Sequence, residues 1–252
     1  MIRIIKNVFE IFKIYISRTD WKSYYFSEIK KNKLNLSFNE IYKNIYKENN
    51  GLTIFDVGAN IGQTVERMKR DFNLKEMHCF EPNVKAFQKL KKYSSDKIIV
   101  NNFALGNKEY FRDFYNYPKS SSSSFFKINK KSSIYEINQN YHINKIQIKK
   151  LDDYTNTKNI NKINILKIDT QGFEVEVLSG AENLIKEKKI DFIETEVNLG
   201  FQYENKTSFL DIENLLFDNY VLVAIKESGN VISNYDFQTN VIYANKDITN
   251  DI

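Results

Sequence analysis

The stretch TIFDVGANIGQT (Thr53–Thr64) passes from β-favouring apolar residues, through Asp56, Gly58, Asn60 and Gly62, into a polar helical pattern. An apolar run that ends in a Gly-containing turn and opens a helix is the first unit of an open α/β sheet. In such sheets ligands sit beyond the carboxyl ends of the strands, where strand order reverses. Gly58 and Gly62 would let backbone approach a ligand with no Cβ in the way. Asn60 stands where a dinucleotide fingerprint has its second Gly, the one that makes room for a pyrophosphate, so the expected ligand is not a dinucleotide.

Working outward, short apolar runs alternate with amphipathic segments. Leu52–Asp56, Met77–Phe80, Ile98–Phe103, Ile163–Ile168 and Ile190–Val197 read as strands; residues 61–72, 83–93, 173–186 and 207–218 read as helices. This predicts a mostly parallel sheet with helices on both faces. Tyr220–Ile225 and Asn240–Ala244, separated by the turn-rich Glu227–Asn230, would add an antiparallel C-terminal pair. The segment 106–150 breaks the rhythm. It carries a serine run, Ser120–Ser124, then Phe125-Phe126, a strand at Ile146–Ile148, and Leu151-Asp152-Asp153-Tyr154. The run is either a mobile loop on the substrate side or an inert connection, and Asp152 and Asp153 either join the site or cap a helix.

Residues 1–48 are expected to form an N-terminal helical extension, with residues 49–252 as the main domain. Ile4, Ile5, Val8, Ile11, Phe12 and Tyr15 recur at helical spacing, and Phe38, Ile41, Tyr42 and Ile45 repeat the pattern. That much apolar surface predicts packing on the core or a homodimer, with contact at a membrane surface as the alternative. Lys6, Glu10 and Lys13 interrupt the first stripe, so no transmembrane segment is expected.

Cys79 is the only cysteine, and His78 and His142 are the only histidines, too few for a disulfide framework or a Cys/His zinc site. A reducing, cytoplasmic location follows as the expectation. The net charge of +5 is spread without an Arg-rich arm, so nucleic acid is not an expected partner, whereas a small anionic substrate is compatible.

The second strand ends in Phe80-Glu81-Pro82, where a carboxylate can accept hydrogen bonds from both hydroxyls of a ribose. The third leads into Asn102, Phe103 and Ala104, whose amide and backbone groups could read an adenine edge. Together with the first turn these strand ends suggest an adenosine-bearing ligand without a phosphate cradle. FDVGANIGQ, FEP, ALG, KLDDY and above all LKIDTQGFEVEVLSGAE (Leu166–Glu182) resemble the FkbM family of S-adenosylmethionine-dependent methyltransferases, over about Thr53 to Tyr243. The resemblance implies a class I methyltransferase fold with a Rossmann-like sheet. It implies S-adenosyl-L-methionine as cofactor, its carboxylate end near Asp56–Gly62, its ribose on Glu81 and its adenine near Asn102 and Phe103.

Methyl transfer to an alcohol needs in-line alignment and an exit for the hydroxyl proton. Asp169 ends the fourth strand and Glu196 lies near the end of the fifth, so a parallel sheet would bring them to one rim. Three roles stay open for Asp169: positioning of cofactor or loop, general base, or, with Glu196, ligand to Mg²⁺ or another divalent cation. His142 is a further candidate base, while His78 reads as structural. Asn198 and Tyr203 are candidate substrate contacts, since the acceptor pocket is expected from segments 106–150 and 198–206. Family members act on hydroxyls of sugars, polyketides and related metabolites. The expected activity is O-methylation of a sugar, nucleotide-linked or a surface-polysaccharide precursor. N- or C-methylation of a small metabolite and a noncatalytic adenosine-binding module are the alternatives.

Overall fold

The computed structural model describes residues 38–46, 51–225 and 238–249. The helices expected before Phe38 and the turn expected at Glu227–Asn230 lie outside the described residues. The chain divides into two units, residues 1–42 and 43–252. A helix, α1 (Phe38–Ile45), spans the division.

From there the elements alternate as the apolar runs predict: β1 (Leu52–Val57), α2 (Gln63–Asp71), β2 (Leu74–Phe80), α3 (Val84–Leu90) and β3 (Ile98–Asn101). A small sheet follows, made of β4 (Ala104–Leu105), β5 (Tyr110–Asn116) and β6 (His142–Lys149). The chain then returns through α4 (Leu151–Thr157), β7 (Ile163–Ile168), α5 (Glu174–Ser179), α6 (Glu182–Lys186), β8 (Ile190–Asn198), α7 (Phe209–Leu216), β9 (Tyr220–Ile225) and β10 (Gln238–Asn245).

The seven-stranded sheet has the order β3-β2-β1-β7-β8-β10-β9. β1 pairs in parallel with both β2 and β7, and β7 in parallel with β8. β10 is antiparallel to both β8 and β9. This is the expected Rossmann-like sheet, mostly parallel with an antiparallel strand at its C-terminal end. The last strand is not at the edge. β10 is buried along most of its length whereas β9 is largely half-exposed, although β9 is the more apolar strand in sequence; pairing on both sides, with β8 and β9, is what buries β10. After β3 the chain crosses over β1 to β7, which makes the β1/β7 junction the point where strand order reverses.

Three departures from the sequence reading have local causes. β5 was not expected, because Tyr110–Asn116 interleaves charged and aromatic residues; it pairs antiparallel with β6, whose start is His142 rather than Ile146. The single helix expected over 173–186 breaks at Gly180, where an added Cβ would lie 2.0 Å from the Gly106 carbonyl oxygen, so the chain turns to let two backbones touch. Asp152 caps, but not its own helix. Its carboxylate accepts from Asn183 N at 3.0 Å and Leu184 N at 3.2 Å in the first turn of α6. Among the described residues no helix is long and apolar enough to cross a membrane.

Candidate active site

A cavity of about 270 Å³ opens beyond the carboxyl ends of β1 and β7, the place the strand reversal predicts. Its floor begins at the β1–α2 turn. Gly58 has φ 84°, and a Cβ there would lie 1.9 Å from the Asp169 carbonyl oxygen. The residue is glycine so that β1 and β7 can approach, with Asp169 N donating to Val57 O at 2.9 Å. Gly62, at φ 100°, does not line the cavity; its missing Cβ makes room for the Tyr93 ring, 2.2 Å from where that atom would be. The ligand-approach role expected of Gly62 is therefore a packing role. Asn60 does line the cavity, with its backbone in the left-handed region at φ 46°.

Glu81 faces the cavity from the end of β2, and its carboxylate is held by backbone. Oε2 accepts from Asn60 N at 2.8 Å and Oε1 from Asn83 N at 2.7 Å. Burial pushes its pKa up to about 7 despite those two donors. Asn102 and Phe103 are not on the cavity wall. The Asn102 amide is spent on the Glu81 carbonyl at 2.8 Å, and Phe103 packs edge-on against Phe80 under the Lys149 ammonium. The wall there is apolar, made by Ala104, Leu105 and Phe114. Ala104 alone of the three expected adenine contacts lines it.

Under the floor a row of charge crosses the sheet. Asp56, Lys167 and Glu194 are register partners on β1, β7 and β8. Lys167 Nζ lies 3.7 Å from Asp56 and 3.3 Å from Asp169, and Arg67 of α2 grips both Glu194 oxygens at 3.0 and 2.8 Å. Asp56 is fully buried beneath the cavity, and neither carboxylate oxygen has a hydrogen bond among the described residues. Burial pushes its pKa up, with Lys167 and Arg67 pulling it back. For Lys167 burial alone would lower the pKa, but the charges of Asp169, Asp56 and Glu194 outweigh it and hold the ammonium above its ordinary value. Lys167 was not singled out from the sequence, yet it lines the cavity.

Asp169 lines the cavity from the end of β7, half-exposed. Glu196 sits buried behind it, and burial together with the Asp169 charge pushes Glu196 well above the usual carboxylate range. The two acids are joined by a side chain of this chain. Gln171 Nε2 bridges them, 2.9 Å from Asp169 Oδ1 and 2.9 Å from Glu196 Oε2. Among the described residues no cluster of three His, Cys, Asp or Glu side chains could hold a metal, so the donor set does not fit the divalent cation that the paired acids suggested.

The remaining sequence candidates fall outside the cavity wall. His142 is exposed at the first position of β6. Tyr203 is buried in a small cluster with Tyr117 and Ile128, its hydroxyl 2.9 Å from Gln171 Oε1 and 3.0 Å from Ser122 O. Asn198 is buried at the end of β8, its carbonyl accepting from the Lys206 ammonium.

The serine run lies on the cavity side of the sheet. Ser120, Ser121 and Ser123 line the cavity, and the run is tied to three strand ends. Ser120 Oγ donates to Asn60 Oδ1 at 3.0 Å, Ser123 Oγ accepts from Asn83 Nδ2 at 3.3 Å, and Ser124 Oγ donates to Gln171 O at 2.8 Å. The only signal in sequence was the run's position, after the third strand and before Phe125-Phe126.

A curated relative, "Methyltransferase 1" of Beauveria bassiana (strain ARSEF 2860), is 25% identical over 145 residues, which are 52% of this chain and 58% of that protein. This chain thus spans less than two thirds of that relative's length. The crystal structure of methyltransferase FkbM from Methylobacillus flagellatus KT is similar with a TM-score of 0.48 and 18% identity, over 81% of this chain and 47% of that one. A putative S-adenosylmethionine-dependent methyltransferase from Listeria monocytogenes gives 0.46 and 6%, over 82% and 96%. The family model described as the methyltransferase FkbM domain matches residues 56–229, from the buried acid of β1 to beyond β9, and the chain belongs to that family.

Proposed function

We propose that this chain is an S-adenosylmethionine-dependent O-methyltransferase acting on a hydroxyl of a sugar, nucleotide-linked or a surface-polysaccharide precursor. The observation that carries the reading is the pairing of two acids on one cavity: Glu81 at the end of β2 and Asp169 at the end of β7. The residues fit the cofactor. Glu81 is held by backbone with its remaining lone pairs free to accept ribose hydroxyls, and Ala104 and Leu105 offer an apolar wall to a base. Beside the cavity the half-exposed Asp169 presents a carboxylate to a cationic ligand. The cofactor, when bound, supplies a methyl group on a sulfonium centre.

The chain's own part is alignment and proton handling. Asp169 is the general base in this reading, accepting the acceptor's hydroxyl proton within hydrogen-bond reach. Ser120, Ser121 and Ser123 also line the cavity, a polar surface suited to a polyol. Support for a sugar is this polar wall together with the family.

Calorimetry with S-adenosylhomocysteine and NAD tests the cofactor, and mass spectrometry of products from a panel of nucleotide sugars tests the acceptor. Binding of the first ligand and not the second is expected, with Glu81→Ala weakening it. Loss of that difference, or a Glu81→Ala variant that binds like wild type, removes the reading. Asp169→Asn should keep cofactor affinity and lower turnover by about 100-fold or more. Wild-type turnover in Asp169→Asn would show that it is not the base.

A further inference from the structure

We infer that Gln171 is a positioning residue whose side-chain amide occupies the bridging place a divalent cation would take between Asp169 and Glu196, and that it ties this acid pair to the acceptor-side segments of the chain. The first part stands on geometry alone; only its cofactor test rests on the methyl-transfer reading.

An amide nitrogen carries two N–H groups. Gln171 Nε2 spends them on two carboxylates, at 2.9 Å from Asp169 Oδ1 and 2.9 Å from Glu196 Oε2. This orientation gives the amide nitrogen two carboxyl acceptors and leaves the amide oxygen to a hydroxyl donor. Its Oε1 accepts instead from the Tyr203 hydroxyl at 2.9 Å. The backbone carbonyl of Gln171 accepts from Ser124 Oγ at 2.8 Å. The residue sits in the left-handed region at φ 57°, a strained place for a side chain other than glycine, and these four bonds hold it there.

The consequence for the acids is specific. A cation shared by two carboxylates has to stand between their oxygens, within bonding distance of both. The Gln171 nitrogen already stands there, and Lys167 takes the other Asp169 oxygen at 3.3 Å. Asp169 is therefore held at both oxygens by groups of this chain. Gln238 Nε2 adds a further donor to Glu196 Oε2 at 3.2 Å. The Asp169 charge, which pushes Glu196 upward, is offset by N–H dipoles and one ammonium supplied by this chain. Tyr203 belongs to the segment after β8 and Ser124 to the serine run, so Gln171 links the cavity's acid to both segments expected to shape the acceptor site, to the first by its side-chain amide and to the second by its backbone carbonyl.

Two substitutions separate this role from simple packing. Gln171→Glu keeps the shape and the acceptor for Tyr203 but sets a third carboxylate against two others. Gln171→Met keeps the volume and removes every side-chain bond. Titration with Mn²⁺, followed by loss of the free-ion electron paramagnetic resonance signal, is expected to show Gln171→Glu binding the ion about tenfold or more tightly than wild type, and Gln171→Met no better than wild type. Calorimetry with S-adenosylmethionine should show Gln171→Met keeping wild-type affinity, as Asp169→Asn does, while its turnover falls by about tenfold through an unsupported Asp169. Circular dichroism melts establish that both variants fold. A packing role predicts instead that the two variants respond alike to Mn²⁺, and that outcome overturns the inference. So does wild-type Mn²⁺ binding that Asp169→Asn abolishes, since the pair would then already hold an ion. Failure of the wild type to bind S-adenosylmethionine strikes the methyl-transfer reading and leaves the Mn²⁺ comparison to decide the role of Gln171.

Discussion

Glu81 is the residue whose chemistry can be followed most directly with pH. Its carboxyl titrates near 7 in the folded chain against an ordinary value of 4.5, chiefly because it is buried. The unfolded chain releases that proton first, so the contribution of Glu81 to stability is full below pH 4.5 and is lost as pH rises to about 7. A ligand whose hydroxyls donate to the carboxylate favours the ionised form and acts in the opposite sense. Affinity for S-adenosylhomocysteine should therefore rise with pH through about 7. Calorimetry at a series of pH values should show that rise in wild type and a flat response in Glu81→Gln. At this scale the residues just past β1, β2 and β7 were legible in the sequence: Asn60, Glu81 and Asp169 all reach the cavity. It misled where the side chain had another partner. The Asn102 amide reaches back to the Glu81 carbonyl, and His142 heads an exposed stretch of β6.

The elements meet at glycines, and the two glycines of the β1–α2 turn differ in what stands opposite. At Gly58 the obstacle is the backbone of Asp169, which cannot move without separating β1 from β7. At Gly62 it is the ring of Tyr93, a side chain that can swing away. Both have positive φ. Gly58→Ala should destabilise by about 3 kcal/mol or more, adding a clash to the backbone strain, and Gly62→Ala by only about 1–3 kcal/mol. Urea denaturation orders the two, and equal losses would mean that the β1/β7 approach is not what Gly58 protects. Strand and helix positions were legible because apolar periodicity is local. β5 was not, because its alternation mixes Arg112 and Asp113 with aromatic residues. Arg112 lies over the rings of Phe125, Phe126 and Phe173, so a charged residue sits on the inward-facing row.

Across the whole molecule the charge row Asp56–Lys167–Glu194 joins three strands at the sheet's centre and sets the field under the cavity. Lys167→Met would leave Asp56 and Asp169 without their ammonium. The expected loss is about 3–5 kcal/mol of unfolding free energy, the usual result of removing one partner from a buried pair, measured by chemical denaturation. A variant as stable as wild type would show that Asp56 is carried as the neutral acid. The sequence by itself determined the alternation of strands and helices, the turn TIFDVGANIGQT, and the family carried by LKIDTQGFEVEVLSGAE, because periodicity, turn chemistry and motif spacing are properties of neighbours along the chain. Only the tertiary structure decided that β10 lies inside β9, that the serine run walls the cavity, and that Gln171 stands between Asp169 and Glu196. Those facts depend on strand order and register between segments far apart in sequence. A side chain's partner across a crossover is chosen by packing, which no local pattern records.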